Sequence, residues 1–465
     1  MNNLFPKGPV VQQGSLTIIA RVPRNQVDEL TKLLDVVGKD VTNGGPILNL
    51  PAVQTVHLCS FTLINDEPQL FEPSLAFECN HDGPDEACID ELILRGRDGL
   101  ISIFKFCEGF SPDQLKDYLL AHRVPTAAFY IGCRGQSVGA IRNAFHVREA
   151  VQGFVDKNQA ALDQLSAREV HQRIKKFLVE ESPVKPITST RTLKQQSIQA
   201  WCNVVGLGLL VLVPLLIPVV GFLCWKHAWF WLTVTLALPV WLAVLEIVLI
   251  SVLLLAAELV VLLAPLCVPL LLREWQVKKD FPSLKPLKVD DRIFLHEDTY
   301  VMNHMTTMVD VRVGKNWLGT LKVVLWLIDL LAKVFFTRGD LGGIPTIHFA
   351  RWLFTDNDRR LLFYSNYDGS WASYLGDFVD KANYGLTAVW SNTDRFPPAK
   401  FLFWQGAMHI EAFKSWSREH NLYTAVWYTA YDQETLWNLR NDVRFRDTVG
   451  EDLDEAAAAK LLRLL

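Results

Sequence analysis

The familiar chemical signatures are largely missing from this sequence, and each gap excludes something. Its eight cysteines (59, 79, 88, 107, 133, 202, 224 and 267) include no CxxC pair and no Cys/His ligand spacing. That pattern argues for reduced, packing cysteines in a reducing compartment rather than a disulfide framework or a metal site. Charge of one sign is not in excess either, since 46 Lys and Arg against 50 Asp and Glu leave a formal net charge of -4. Nucleic-acid binding needs a basic footprint, so that class is set aside. The P-loop, the Rossmann glycine fingerprint, HExxH and GxSxG are all missing, which argues against hydrolases and NTPases of the familiar motif types. The opening MNNLFPKGPVVQQG has no apolar h-region, so no signal peptide is expected.

What the sequence does hold is an apolar block at 201–272. A hydrocarbon core about 30 Å thick is crossed by roughly 20 helical residues. The run from Trp201 to Trp225 fits one crossing, with a tryptophan at each end. After Lys226 and His227, residues 228–272 form a second apolar run whose only acids are Glu246 and Glu258. As one helix that run would be roughly 67 Å long, so it must break, tilt or leave the bilayer. Arg168, Arg173, Lys175, Lys176, Lys185, Arg191 and Lys194 precede the block, and Arg273, Lys278 and Lys279 follow it. This bias puts both flanks on the cytoplasmic side of a membrane.

Each flank carries the same run of patterns. In the first, 15–22 reads as a strand, 25–37 as a helix, 55–64 and 75–79 as a hairpin, 85–94 as a helix and 100–106 as a strand. Helix 111–121, strand 126–132 and a helical region over 137–180 follow. In the second flank the strand at 306–313, helix 317–336, hairpin 346–354 and 361–365, helix 371–380 and strand 386–390 repeat that order. Helix 399–419 and strand 423–430 match the extra elements. The order β-α-β-β-α-β is that of a ferredoxin-like unit.

Residues repeat along with the elements. TVHLCSF (55–61) pairs with TIHFARW (346–352), and ARV (20–22) with VRV (311–313), both at an offset of 291. CNHDG (79–83) pairs with SNYDG (365–369), and His122 with His420. Four landmarks in one order indicate an internal duplication. Each unit leaves one sheet face in need of a partner, which the other can supply. The arrangement resembles the dimeric α/β barrel superfamily, formed within one chain.

The duplication implies α+β architecture: two tandem ferredoxin-like repeats forming an intramolecular α/β barrel, with an inserted membrane helical hairpin. The expected boundaries are a lead at 1–14, the first repeat at 15–180, a linker at 181–200, the hairpin at 201–272, a linker at 273–302, the second repeat at 303–447 and a C-terminal helix at 448–465. Halves of one barrel must meet on one side of the membrane, so 201–225 is expected to enter, about 228–250 to return, and 251–272 to run along the interface or into the cytoplasm. Helix 317–336 is apolar enough to suggest a further span, but it occupies the place of helix 25–37. Lys322, Asp329 and Lys333 give it one polar stripe. It is read as a barrel helix whose outer face touches the membrane or the apolar block.

Candidate chemistry concentrates in the second repeat. Strand alternation sends Ile347, Phe349 and Arg351 to one face and His348, Ala350 and Trp352 to the other. Arg351 has no mate in the first repeat, where Ser60 stands, and such asymmetry is where a site is expected. His348 is either a hydrogen-bonded core histidine, as its mate His57 suggests, or a ligand. Asp368 either caps the following helix, as Asp82 would, or faces a pocket with Arg351 and transfers protons.

The turn SNYDG, with Asn366 and Asp368, is similar to the GxxDG signature of dye-decolourising peroxidases, haem enzymes of the same barrel superfamily. Ser365 stands where the first glycine of that signature would be. The resemblance implies Asp368 and Arg351 on the distal side of a haem. It also implies a proximal histidine among His304, His348, His409 and His420. The longer run HFARW…LLFYSNYDGSW…DF also resembles a group of uncharacterised bacterial membrane proteins, which implies no activity. The first expectation is therefore a membrane-anchored protein with a haem-peroxidase-like oxidoreductase site in the second repeat. The alternatives are a non-enzymatic protein binding an apolar, lipid-like or other small molecule delivered from the bilayer, and a scaffold whose hairpin makes a homo-oligomer.

Overall fold

A computed structural model describes residues 4–9, 11–189, 289–336 and 339–465, with isolated positions between 202 and 253. The hairpin expected at 201–272 lies outside the described residues. Among those residues no helix is long and apolar enough to cross a membrane.

The N-terminal part runs β1 (Gln13–Arg21), α1 (Val27–Thr42), β2 (Val56–Ile64), β3 (Ser74–Asp82), α2 (Asp85–Phe104), α3 (Leu115–Ala121), β4 (Thr126–Ile131), α4 (Val138–Leu162) and α5 (Ala167–Glu180). The C-terminal part runs β5 (Met302–Asp310), α6 (Lys315–Val334), β6 (Ile347–Thr355), β7 (Arg360–Asp368), α7 (Trp371–Trp390), β8 (Ala399–Lys400), β9 (Trp404–Gln405), α8 (Ile410–His420), β10 (Asn421–Leu422), β11 (Thr424–Thr429), α9 (Leu436–Thr448) and α10 (Glu455–Leu462).

Two corrections recur in both parts. The strand expected at 100–106 is the second half of α2, and the strand expected at 386–390 is the end of α7. Each run is apolar and β-branched, but it continues a helix past one non-helical residue, Gly96 or Ala382. Packing against the sheet thus overrides local propensity. The helix expected at 399–419 begins only at Ile410, after a small hairpin.

The fold is α+β with antiparallel sheets. One sheet has the order β1-β3-β2-β11 and the other β10-β5-β7-β6-β4, so the strands make two ladders and not one closed barrel ladder. The edge strands are exchanged. β4, from the N-terminal part, pairs with β6, and β11, from the C-terminal part, pairs with β2. Just before each crossing the chain touches its own sheet, through the Ile18–Arg123 bridge and through β10 on β5. Helix α1 lies over the visiting β11 closely enough that a Cβ on Gly38 would sit 2.1 Å from the Ala425 carbonyl oxygen. Only glycine permits that approach.

Alternation along the strands makes three apolar layers. Leu75, Phe77 and Cys79 point to α1 and α2, and Ala350, Trp352 and Phe363 point to α6 and α7. The opposite faces meet between the sheets. Leu58, Ile131, Met302 and Phe349 cluster at one end, and Ile64, Ala76, Met308, Leu353 and Leu362 at the other. A bulge between Ile347 and Phe349 turns Ile347 to the helix side, so the expected facing of Phe349 with Arg351 holds and that of Ile347 does not. Helices α4, α5, α9 and α10 form a further cluster around Val147, Ile174, Leu178 and Phe445.

Candidate functional site

Between the two inter-sheet apolar clusters the inward positions are polar. β3 presents Glu78 and Asn80, β6 presents Arg351, β7 presents Tyr364 and Asn366, and β5 presents His304, all of them buried or nearly so. Arg351 crosses from one sheet to the other. Its Nη1 donates to the Leu16 carbonyl (2.9 Å) and Thr17 Oγ1 (3.1 Å), and its Nη2 donates to the Cys79 carbonyl (3.1 Å) and Asn80 Oδ1. Glu78 Oε1 lies 3.2 Å from Nη2 and completes an ion pair whose partners are each 1% exposed. Burial lowers the proton affinity of the Arg351 guanidinium, and Glu78 opposes that effect. Ser60, the counterpart of Arg351 in the N-terminal part, donates its hydroxyl to Glu78 Oε2 (3.1 Å).

Proton positions follow from a donor count, because a guanidinium can only donate. Asn80 Oδ1 accepts from Arg351, so Asn80 Nδ2 donates to Asn366 Oδ1 (3.3 Å). Asn366 Nδ2 therefore donates to His304 Nδ1 (2.8 Å). His304 then carries its proton on Nε2, facing Thr306 Oγ1 (3.0 Å) and Glu78 Oε2 (3.5 Å). The loop Glu78–Arg351–Asn80–Asn366–His304 closes on itself. Burial pushes the His304 pKa down, which keeps this single-proton imidazole near neutral pH. Its ring stacks between Trp427 and Tyr364, with centroids at 4.8 and 5.8 Å.

His304 is also where the network meets a cavity of about 420 Å³. Tyr367, Trp371, Tyr423 and Trp427 supply aromatic walls, and Arg292, Glu297 and Tyr300 form a further side. Residues 292–300 are the stretch by which the chain re-enters the fold after the apolar block. The Trp427 Nε1 and the Tyr364 hydroxyl are buried with no hydrogen-bond partner among the described residues. The volume is that of a small-molecule pocket, with an aromatic side and a polar side that includes Asp35, Lys39, Asn43, Arg292, Glu297 and Asn303.

The other expected site residues go elsewhere. His348 Nε2 meets Asp368 Oδ1 at 2.6 Å, and Asp368 Oδ2 accepts from the Leu436 amide (2.7 Å), the first residue of α9. In the N-terminal part His57 Nε2 meets Asp82 Oδ1 at 3.0 Å, while Asp82 Oδ2 accepts from the Val138 amide (2.8 Å), the first residue of α4. Both aspartates thus satisfy a helix N-terminus, but not that of the following helix, which Ser370 caps in the C-terminal part. His409 stands at the N-cap of α8. His420 Nδ1 donates to the Trp416 carbonyl (2.7 Å), and the ring lines a separate cavity with Arg395 and Glu419.

Arg351, Asn366 and His304 are therefore brought together, whereas Asp368 with His348, His409 and His420 each lie apart. Among the described residues this arrangement does not fit a haem. Both Asp368 oxygens are taken by His348 and α9, and Arg351 is spent on the opposite sheet, so no distal pair faces a cavity. No group of three His, Cys, Asp or Glu among the described residues could hold a metal ion. Sequence reasoning missed Glu78, Asn80 and the aromatic walls, although Glu78, Asn80 and Asp82 at alternate positions after the apolar run Leu75–Phe77 were a legible signal.

Comparison with family models, with curated proteins and with solved structures gives no match.

Proposed function

We propose that this protein is a membrane-anchored, non-enzymatic binding protein for a small amphipathic or apolar molecule, held in the cavity over His304. The observation that carries the reading is the junction of a cavity of about 420 Å³ that has an aromatic side with a buried, proton-ordered network, beside which the Trp427 indole N–H is left as a polar anchor. The two halves are read as duplicated ferredoxin-like units that have exchanged their last strands. The apolar segment 201–272 anchors them on the cytoplasmic side of the membrane. The return segment 292–300 forms one wall of the cavity, a placement suited to a ligand arriving from the bilayer.

Native mass spectrometry of the gently solubilised full chain tests this. One small molecule should co-purify with the wild type, be lost from Trp427→Ala, and be kept by His348→Ala. A ligand-free protein with no retained mass, or a ligand equally retained by Trp427→Ala, refutes the assignment. An absorbance band of haem in the same sample would restore the peroxidase reading.

A further inference from the structure

Helix α6 covers the visiting strand β4 as α1 covers β11, yet its outer face is of the opposite kind. Trp317, Leu321, Val324, Leu325 and Ala332 are buried against the sheet. Val323, Trp326, Leu327 and Leu331 follow at i, i+3, i+4 and i+8, and all four are exposed, Trp326 by 59%. That spacing is one continuous helical stripe. The charged residues keep to its border, where Lys333 binds Asp329 (2.5 Å) and Lys322 binds Asp358 (2.6 Å). On α1 the exposed residues are Asp28, Glu29, Lys32, Val36, Lys39 and Thr42. The fold therefore does not require an apolar outer face on this helix.

Two further observations say what covers the stripe. The chain leaves for the apolar segment at Ser189, whose hydroxyl binds Gln136 Nε2 (2.8 Å), and nearby Arg134 donates to the Ala332 carbonyl (3.3 Å) in the last turn of α6. Ser189, the last described residue before the apolar segment, is thus tied to the 134–136 stretch that contacts the C-terminal turn of α6. Helix α7, which packs against α6, carries a hairpin whose Phe401, Phe403 and Trp404 are also exposed. Trp404 leans on Tyr384 of α7, with ring centroids 5.8 Å apart. A helix with apolar and tryptophan side chains outward and lysines at its border is suited to lie in a lipid interface.

We infer that the outer face of α6, continued by the 401–404 hairpin, rests on the lipid bilayer, so that the protein is held flat against the membrane as well as anchored in it. The inference rests on the membrane-anchor reading above. It is tested on the full chain reconstituted in phosphatidylcholine vesicles, with a fluorescent amino acid placed at position 327 or 331, or at position 36 on α1 as a control. Brominated lipid should quench 327 and 331 at least about twofold more than 36, and aqueous iodide should do the reverse. Flotation of the vesicles separates the two readings. Protein that fails to float overturns the anchor and this inference together. Protein that floats while 327 and 331 remain open to iodide overturns only the lipid-facing surface. Shielding from both quenchers would mean that the apolar segment or a second copy covers the face, and would overturn it too.

Discussion

The ion pair between the sheets makes a demanding prediction, because removing its charges in different orders should change the sign of one effect. In Arg351→Met the guanidinium leaves four acceptors behind, the Leu16 and Cys79 carbonyls, Thr17 Oγ1 and Asn80 Oδ1, together with the Glu78 carboxylate. Glu78 is 1% exposed, so its charge cannot be rescued by water. Breaking a buried pair from one side costs about 3–5 kcal/mol, a large share of a domain stability of roughly 5–15 kcal/mol. Glu78→Gln alone should cost about 2–3 kcal/mol, since the arginine keeps its neutral acceptors but loses its counter-charge. In the Arg351→Met background the same Glu78→Gln change removes an uncompensated charge, so it should stabilise by about 1–2 kcal/mol. Urea unfolding of the solubilised full chain, followed by tryptophan fluorescence, measures all four corners of the cycle. If Glu78→Gln costs the same in both backgrounds, the two groups are not coupled and the proton-ordered loop through His304 loses its basis.

Four further outcomes follow from the geometry. Asp368→Ala should cost about 1–3 kcal/mol, because it strips both His348 and the α9 N-terminus of a partner, and it should leave any cavity ligand bound; loss of ligand with unchanged stability would give Asp368 a different role. Gly38→Ala places a Cβ 2.1 Å from the Ala425 oxygen and should destabilise by about 1–3 kcal/mol, whereas Gly153→Ala on α4, with nothing among the described residues within 4 Å, should be neutral or stabilising in the same melt. Burial, with Asp442 nearby, pushes the Glu434 carboxyl up to about 7 from 4.5, so the folded protein holds a proton that the unfolded chain releases. Its contribution to stability should therefore fall as pH rises from about 4.5 to about 7, and Glu434→Gln should flatten that limb of a stability–pH profile. Burial pushes the His171 and His304 pKa values down from 6.5. The unfolded chain then binds more protons than the folded one, so stability should be lost as pH drops through 6.5, and His171→Gln should reduce that loss on the acid side.

Much of the fold was legible in the sequence because it depends on short-range pattern. The expected strand 55–64 became β2 nearly end to end, the expected 75–79 became the first part of β3, and helices were found where the spacing put α1 and α6, with α1 running five residues further. The runs LISIFKF and LTAVW were misread as strands because apolar, β-branched sequence of that length is ambiguous between a buried strand and a buried helix turn. The candidate site was partly legible. Arg351 stood out as the inward residue with no mate, and Asn366 and His304 proved to be its companions through Asn80. Asp368 and His348 belonged instead to a pairing that His57 and Asp82 repeat.

By itself the sequence determined the strand and helix patterns, the recurrence of landmarks at an offset of 291, the apolar block and the polar inward positions of β3 and β7, since each is written in neighbouring residues. Only tertiary structure decided that β4 and β11 exchange sheets, that Glu78 receives Arg351 from 273 residues away, and that both aspartates hold helices far along the chain. Side-chain alternation fixes which way a residue points, but not what stands opposite it. A buried charge or amide is satisfied by whichever strand the fold brings within about 3 Å, and that choice is made by packing and hydrogen-bond geometry over the whole molecule.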